Sequence, residues 1–192
     1  MVCLTGFMGS GKSTVGRLLA AQLAWRFLDL DSEIERLTGL PISQIFEQKG
    51  EAVFRDIEHE CLKRILGSAG ERDTRWVLAL GGGTFAQPRN IALLREFGSA
   101  ARGFGAAVVW LNCPMEDLLQ RCVLMGDRPL FRDEASFRDL YQERLPYYQQ
   151  ADYRVESSGE AIRVVEQILA LGIFGRSQRA IADPNPPGAS IV

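Results

Sequence analysis

The sequence is poor in the residues that build metal clusters and disulfide frameworks. Its 192 residues contain a single histidine, His59, and four cysteines, at positions 3, 61, 113 and 122, that form no C-x-x-C pair. Histidine and cysteine ligands at short fixed spacings are typical of zinc sites, and the sequence has no such cluster. The scattered cysteines instead indicate reduced thiols that pack in the protein core.

Long apolar runs and a surplus of charge of one sign are also absent. The run at residues 106–111 is far shorter than the roughly 18 residues that a membrane-spanning helix needs, and no signal segment opens the chain. The net charge of −2 argues against a general nucleic-acid surface, which requires many clustered lysines and arginines. We therefore expect a cytoplasmic monomer that binds a small molecule and neither nucleic acid nor a membrane.

The length and composition indicate one globular domain followed by a tail. Apolar residues make up 46% of the chain, which is ordinary for a globular protein. Beyond Leu171 the composition changes, and residues 176–192 contain three prolines and no apolar period. We expect a folded domain over residues 1–171 and a disordered tail without a catalytic role over residues 172–192.

The strongest motif is a phosphate-binding loop at residues 6–14, Gly-Phe-Met-Gly-Ser-Gly-Lys-Ser-Thr. Its glycines let backbone N–H groups surround an anion, Lys12 brings a positive charge to the β- and γ-phosphates, and Ser13 can hold Mg²⁺. An apolar strand precedes the loop and an apolar helical pattern follows it, which is the context that the motif requires. The predicted ATP-binding residues of the loop are Gly9, Ser10, Gly11, Lys12, Ser13 and Thr14.

The rest of the chain alternates predicted strands with predicted helices. Ser32, followed by Glu35, and Ser157, followed by Glu160, have the spacing of helix-capping boxes. Residues 98–105 have no periodicity and are predicted to form a loop. The alternation predicts an α/β fold in which helices cover both faces of a parallel sheet. The predicted strands cover residues 2–4, 27–31, 76–80, 107–111 and 153–155.

Carboxylates and glycines follow two of the predicted strands. Asp29 and Asp31 stand at the end of the second strand, on the edge where the phosphate loop opens, and their i, i+2 spacing points both the same way. A helix cap at Asp31 and a solvated strand end at Asp29 are the alternative interpretations. Gly81, Gly82 and Gly83 directly follow a buried strand, where they indicate close approach of a ligand or of another backbone.

Three arginines are candidates for binding anions. Arg55 adjoins an apolar helix face, Arg128 precedes a proline in a loop between two helices, and Arg144 lies on a predicted helix. A loop arginine such as Arg128 is suited to close over a nucleotide and to neutralise a phosphoryl group during transfer. An exposed surface charge is the alternative interpretation for Arg55 and Arg128, and from composition alone Arg144 could equally be an exposed helix charge.

In their order and spacing, these motifs resemble those of the shikimate kinase family. The resemblance covers residues 3–170. It implies a P-loop kinase fold, similar to that of nucleoside monophosphate kinases, with three layers and a lid. It also implies transfer of the γ-phosphate of ATP to the 3-hydroxyl of shikimate, with Mg²⁺, in aromatic amino acid biosynthesis. The segments that carry it are the phosphate loop, Asp29-x-Asp31, Gly50-Glu51-x-x-Phe54-Arg55-x-x-Glu58, the three glycines, Arg128-Pro129-Leu130 and Arg144-x-Pro146-x-Tyr148.

The resemblance also assigns roles to single residues. Lys12 and Ser13 would bind phosphate and metal, and Asp29 would contact the metal through water. Asp31 would bind the shikimate hydroxyls and accept the proton. The carboxylate of shikimate would pair with Arg55 and Arg144, and its ring would meet the backbone of Gly81, Gly82 and Gly83. Arg128 would reach over the phosphates from the lid, and Arg121 would lie near the adenine.

Two other functions stay open at the level of sequence. A kinase for another small polyol acid, such as gluconate, would share the loop and lid but should not need two arginines with a triple glycine. A non-catalytic ATP-binding relative should carry a substituted Lys12, Asp31 or Arg55, and all three are present. The chain departs from the family pattern at Thr84, where alanine is common, in the length of the 98–105 connection and in its tail.

Overall fold

The computed structural model describes residues 1–71, 75–100, 106–125 and 133–174. These residues form five strands, seven α-helices and a short 3-10 helix at Thr84–Ala86. The strands are β1 (Val2–Thr5), β2 (Arg26–Asp29), β3 (Trp76–Ala79), β4 (Ala107–Asn112) and β5 (Tyr153–Glu156). The helices are α1 (Lys12–Leu23), α2 (Leu30–Thr38), α3 (Ile42–Glu71), α4 (Pro88–Ala100), α5 (Met115–Met125), α6 (Glu134–Tyr148) and α7 (Ala161–Ala170).

All five strands are parallel and lie in the order β2-β3-β1-β4-β5. Cys3 of β1 pairs with Leu78 of β3 on one side and with Val108 of β4 on the other. Because parallel strands point the same way, the segments that follow β1, β2 and β3 all open at one edge of the sheet. The predicted α/β fold is confirmed, and this edge positions the site.

Helices cover both faces of the sheet. One core contains Leu62 of α3 and Phe137 of α6, and the other contains Leu19 of α1 and Val165 of α7. Strands covered on both sides need continuous apolar runs, which explains the composition of β1, β3 and β4. All four cysteines are buried thiols, as predicted. Of the helices in the described ranges, none is long and apolar enough to cross a membrane.

The second strand is shorter than predicted. β2 ends at Asp29 and α2 begins at the next residue, so Asp31 lies in the first turn of a helix. The cause is the Asp29 carboxylate, whose Oδ1 accepts hydrogen bonds from the N–H groups of Asp31 at 3.1 Å and Ser32 at 3.4 Å. Ser32 is therefore not the cap, and Glu35 instead accepts from the N–H of Ile42 at 2.9 Å. The prediction that strand alternation aligns the two aspartates is wrong.

Helix α3 is broken at Gly50. Gly50 has a φ of 80° and a ψ of 169°, which divides Ile42–Glu71 into two helical segments. This left-handed conformation favours glycine because any Cβ would strain it. The break allows Phe46 of the first segment and Arg55 of the second to line the same cavity.

Two other predicted boundaries are wrong. Helix α4 continues through Ala100, so residues 98–100 are helical, and residues 101–105 lie outside the described residues. The glycine and serine at 98 and 99 lower helix propensity but do not end a helix whose preceding turn packs against the core through Phe97. Helix α7 begins at Ala161 after Glu160, and Ser157 does not cap it. The Ser157 hydroxyl instead donates to the backbone carbonyl of Ser10 at 2.6 Å.

The packed part of the chain extends beyond the predicted end at Leu171. Phe174 is 7% exposed, and its ring meets that of Trp25 edge to face with centroids 5.5 Å apart. Ile173 packs against the same core. Ile173 and Phe174, which the sequence assigned to the tail, thus pack on the folded domain, and the sequence did not show this because two apolar side chains are too few to form a period. Residues 175–192 lie outside the described residues.

Candidate active site

The phosphate loop joins β1 to the N-terminus of α1. Gly9 and Gly11 have φ values of 80° and 90°, which let successive backbone N–H groups turn inward. The ammonium group of Lys12 donates hydrogen bonds to the carbonyl oxygens of Gly6 at 2.9 Å and Phe7 at 3.0 Å. The loop therefore surrounds a positive charge at a helix N-terminus, an arrangement suited to phosphate.

Side chains from distant parts of the chain hold the loop from outside. Arg121 of α5 donates from Nη1 to the Gly9 carbonyl at 3.2 Å and from Nη2 to the Ser157 carbonyl at 3.4 Å. A Cβ atom on Gly9 would lie 3.1 Å from Sγ of Cys122, so the loop packs closely on α5. Arg121 thus contacts the backbone of the loop, and its predicted place beside adenine stays a prediction.

Ser13 and Asp29 form a pair suited to a hard cation. The Ser13 hydroxyl donates to Oδ2 of Asp29 at 2.5 Å, while Oδ1 of the same carboxylate caps α2. Hydroxyl and carboxylate oxygens beside bound phosphates are the ligands that Mg²⁺ usually takes. Mg²⁺ keeps several waters and binds substrate phosphates beside one or two protein oxygens, which is a requirement that one hydroxyl and one carboxylate fit. Within the described ranges, no group of three or more His, Cys, Asp or Glu could hold a metal.

The loop opens into two adjoining cavities. The smaller, of about 110 Å³, is lined by loop residues and Asp29, and the larger, of about 320 Å³, contains Arg55 and Arg144 in its wall. Met8, Asp31 and Gly82 line both cavities. A phosphate in the smaller cavity and an acceptor in the larger would therefore meet beside the Asp31 carboxylate.

Arg55 is a fixed cation in the wall of the larger cavity. It is 7% exposed, and it donates from Nη1 to Oε2 of Glu58 at 3.0 Å and from Nη2 to Oε1 of Glu51 at 2.9 Å. Burial alone would lower the pKa of this guanidinium, but the charges and hydrogen bonds of Glu58 and Glu51 outweigh burial and raise the pKa above its ordinary value. Two carboxylates therefore keep Arg55 charged and oriented.

Arg144 of α6 reaches the same cavity without such a partner. It is 5% exposed, its guanidinium lies 5.8 Å from the centroid of the Phe7 ring, and it neighbours the hydroxyl of Tyr148. No carboxylate in the described part of the chain forms an ion pair with Arg144. A buried guanidinium that lacks a carboxylate partner is costly, so the cavity favours an anionic ligand.

The three glycines after β3 allow the site's side chains to approach the backbone. A Cβ atom on Gly81 would lie 2.6 Å from Oδ1 of Asp31, which leaves no room for a side chain. The Tyr148 hydroxyl donates to the carbonyl of Gly82 at 2.5 Å, and burial raises the pKa of that hydroxyl above its usual value. The glycine run predicted close approach of a ligand or of another backbone, whereas the groups closest to Gly81 and Gly83 are side chains of the site.

The structure brings most of the predicted site residues to one edge of the sheet. The smaller cavity is lined by Asp29 and by every predicted ATP-binding residue of the loop except Ser10, which is buried. The larger cavity is lined by every predicted acceptor residue except Gly81, which lines neither cavity. Arg128 lies outside the described residues. Sequence reasoning assigned no role to Glu58 or Tyr148, although both stand in the quoted motifs. The i, i+3 spacing of Arg55 and Glu58 on a helix is a signal that could have paired them.

The fold and the site together define a P-loop kinase whose acceptor is a small anion. The chain belongs to the shikimate kinase family, whose model, described as "Shikimate kinase", matches residues 8–171. The shikimate kinase of Persephonella marina is 39% identical over 170 residues, which are 88% of this chain and 96% of that relative. The solved structure of the shikimate kinase from Acinetobacter baumannii in complex with shikimate is 39% identical and has a TM-score of 0.74. The aligned region covers 88% of this chain and 90% of that one.

A gluconokinase from Sinorhizobium meliloti also matches in structure. Its TM-score is 0.58 and the aligned regions cover 94% of each chain, but the sequences are only 19% identical. Similarity at this level reflects the shared fold alone, because unrelated substrates are common among proteins of one fold. The match shows that this chain shares its fold with another small-molecule kinase, and it says nothing about the acceptor.

Proposed function

We propose that this chain transfers the γ-phosphate of ATP to the 3-hydroxyl of shikimate, giving shikimate 3-phosphate and ADP. The observation that carries the proposal is that Asp31 lies between the phosphate cavity and a second cavity that contains two buried arginines. A kinase needs an acceptor hydroxyl, a phosphoryl donor and a carboxylate at one point. Membership of the shikimate kinase family supports the identity of the acceptor.

The acceptor binds in the larger cavity through its carboxylate. Arg144 supplies a buried guanidinium that lacks an ion pair with any carboxylate the structure describes, and Arg55 supplies a second one, oriented by Glu58. Charge-assisted hydrogen bonds from two arginines hold a planar carboxylate in one orientation. This clamp places the ring of the acceptor against the backbone of the glycine run and directs its hydroxyls toward Asp31.

ATP binds with its phosphates in the loop. Lys12 and the backbone N–H groups of residues 9–14 neutralise the β- and γ-phosphates, and Ser13 and Asp29 hold Mg²⁺ directly or through water. Bound Mg²⁺ supplies charge neutralisation for the phosphates. From the resemblance, Arg128 adds a cation from the lid when the site closes, and Arg121 lies beside the adenine.

Asp31 accepts the proton of the reacting hydroxyl. The hydroxyl oxygen bonds to the γ-phosphorus, the bond from that phosphorus to the bridging oxygen of ADP breaks, and the hydroxyl proton passes to the Asp31 carboxylate. Most of the rate enhancement comes from positioning and from charge stabilisation by Lys12, because phosphoryl transfer needs little covalent help. The expectations of a monomer and of a cytoplasmic location stay predictions.

A coupled ADP-release assay on the full chain tests the proposal. We expect ADP release that depends on shikimate and does not depend on gluconate. The isosteric variant Asp31→Asn should bind shikimate and lower kcat by about 10²-fold to 10⁴-fold, because general base catalysis is lost. Equal ADP release with gluconate, or with no acceptor, would show that shikimate is not the acceptor.

A further inference from the structure

A buried chain of hydrogen bonds connects Thr84 to the wall of the larger cavity. The Thr84 hydroxyl donates to Oε1 of Glu58 at 2.7 Å, and Oε2 of the same carboxylate accepts from Nη1 of Arg55 at 3.0 Å. Thr84 and Glu58 are both 0% exposed, so water does not compete for these bonds. The two oxygens of one carboxylate are thus divided between a hydroxyl and a guanidinium.

The Thr84 hydroxyl has a fixed position. The N–H of Thr84 donates to the carbonyl of Gly81 at 3.1 Å, and its own carbonyl accepts from Nδ2 of Asn90 at 3.0 Å. Asn90 is itself fully buried. A backbone held on both sides and a β-branched side chain with few rotamers leave the hydroxyl little freedom. Thr84 can therefore act as a rigid anchor for Glu58.

We propose that Thr84 is a positioning residue that sets the affinity for the carboxylate of the acceptor. The role rests on the proposed function, because it acts through the arginine that binds that carboxylate. By donating to Oε1 of Glu58, Thr84 keeps that oxygen away from Arg55. Only one oxygen of Glu58 then pairs with the guanidinium, through Nη1. Glu51 accepts from Nε and Nη2, which leaves the second N–H of Nη1 and of Nη2 for a ligand.

Removal of the hydroxyl would change how Glu58 and Arg55 pair. A carboxylate with both oxygens free forms a bidentate pair with a guanidinium, which is a strong and specific geometry. Such a pair would occupy the N–H groups of Arg55 that the acceptor's carboxylate requires. The consequence is weaker binding of the acceptor, with no direct effect on ATP or on the reacting hydroxyl.

Matched variants separate this role from a general effect on packing. Thr84→Val keeps the size and β-branching and removes the donor, whereas Thr84→Ser keeps the donor. Thr5→Val is the control, because Thr5 is also 0% exposed and its hydroxyl has no hydrogen-bond partner among the described residues. Each variant is measured for shikimate Kd by calorimetry without ATP, for KM of both substrates, for kcat and for melting temperature.

Thr84→Val should raise the shikimate Kd and KM by about fivefold or more, the equivalent of losing one buried hydrogen bond. The ATP KM and kcat should stay within about twofold of the parent, and Thr84→Ser and Thr5→Val should resemble the parent in every constant. An unchanged shikimate Kd in a Thr84→Val protein that melts like the parent would overturn the proposal. A parallel loss of ATP affinity and kcat would also overturn it, because that result indicates general disruption.

A double-mutant cycle with Glu58→Gln gives a second test. An amide side chain cannot form a bidentate ionic pair with Arg55, so Thr84→Val should have no further effect on shikimate Kd in the Glu58→Gln background. Additive effects of the two substitutions would contradict the proposal. If Thr84→Val does not fold, Thr84→Ala replaces it in the same cycle with the same expectation. A parent protein without shikimate-dependent ADP release would contradict the proposed function itself, which is a separate outcome.

Discussion

A Cβ atom on Gly83 would stand 2.6 Å from Nη2 of Arg55 and 2.8 Å from Cζ of the same guanidinium. The φ of Gly83 is −105°, a value that any residue can adopt, so the backbone itself does not require glycine. Only the contact with Arg55 excludes a side chain at this position. Glycine at residue 83 is therefore a requirement of the site and not of the fold.

Gly83→Ala should impair acceptor binding and leave the fold intact. The added methyl group displaces the Arg55 guanidinium, so we expect the shikimate KM to rise by about tenfold or more with little change in the ATP KM. Gly67→Ala is the matched control, because Gly67 lies on α3 with no atom within 4 Å of an added Cβ. Steady-state kinetics with each substrate varied in turn checks this, and an unchanged shikimate KM would show that Arg55 does not bind the acceptor.

Lys12→Ala should lower kcat/KM at least about a hundredfold, because it removes about 3–4 kcal/mol of charge stabilisation in the transition state. The fold should survive, since Lys12 is half-buried and donates hydrogen bonds to two carbonyls of its own loop. Lys63→Ala, on the exposed surface of α3, serves as the control. A Lys12→Ala protein with a rate within about fivefold of the parent would contradict the assignment of the phosphate loop.

The burial of Phe174 should contribute to the stability of the protein. A protein that ends at Leu171 loses the buried Phe174 ring and its contact with Trp25, and its melting temperature should fall by about 4–10 °C. A protein that ends at Phe174 should melt within about 2 °C of the full chain, because residues 176–192 have no apolar period. Thermal melts of both truncated proteins and of Phe174→Ala measure this contribution. Equal melting temperatures for all three would show that Phe174 contributes nothing to stability.

The buried thiols should make the protein less stable in alkaline solution. Burial raises the pKa of Cys3 to about 12 and of Cys61 to about 11, from 9.0 for an exposed thiol. The unfolded chain therefore releases these protons first, so the free energy of unfolding is fully retained below about pH 9 and falls as the pH rises above it. Urea unfolding at about pH 8 and about pH 10 measures the difference. Rapid reaction of the folded protein with a chromogenic disulfide reagent at the lower pH would contradict the burial of the thiols.

Local patterns predicted the phosphate loop and the alternation of strands and helices that implies a parallel sheet, because each depends on residues close together in the chain. They did not place Asp31 correctly. The segment Asp29-Leu30-Asp31-Ser32 offers three possible helix caps, and the sequence does not show which one forms the hydrogen bonds. Asp31 still lines both cavities of the site, although it does so from a helix.

Contacts between distant residues were beyond local patterns. Ser157 precedes a predicted helix and has the spacing of a cap. Its hydroxyl instead donates a hydrogen bond to the carbonyl of Ser10 in the phosphate loop. Thr84 and Glu58 are 26 positions apart, and only the packing of the 3-10 helix against α3 brings them together. The burial of Phe174 likewise depends on Trp25, at the other end of the folded domain. No periodic pattern and no motif in the sequence indicates any of these pairings.

The most direct test of the proposed acceptor site compares shikimate with its methyl ester. A site that holds a carboxylate between two buried guanidinium groups should accept the neutral ester at least about a thousandfold less efficiently in kcat/KM, since polar sites of this kind reach about 10⁴ in discrimination. Arg144→Ala should lose much of that preference, because it removes half of the clamp. If the parent protein phosphorylated the ester within about tenfold of the acid, neither arginine would recognise the carboxylate, and the proposed acceptor site would be contradicted.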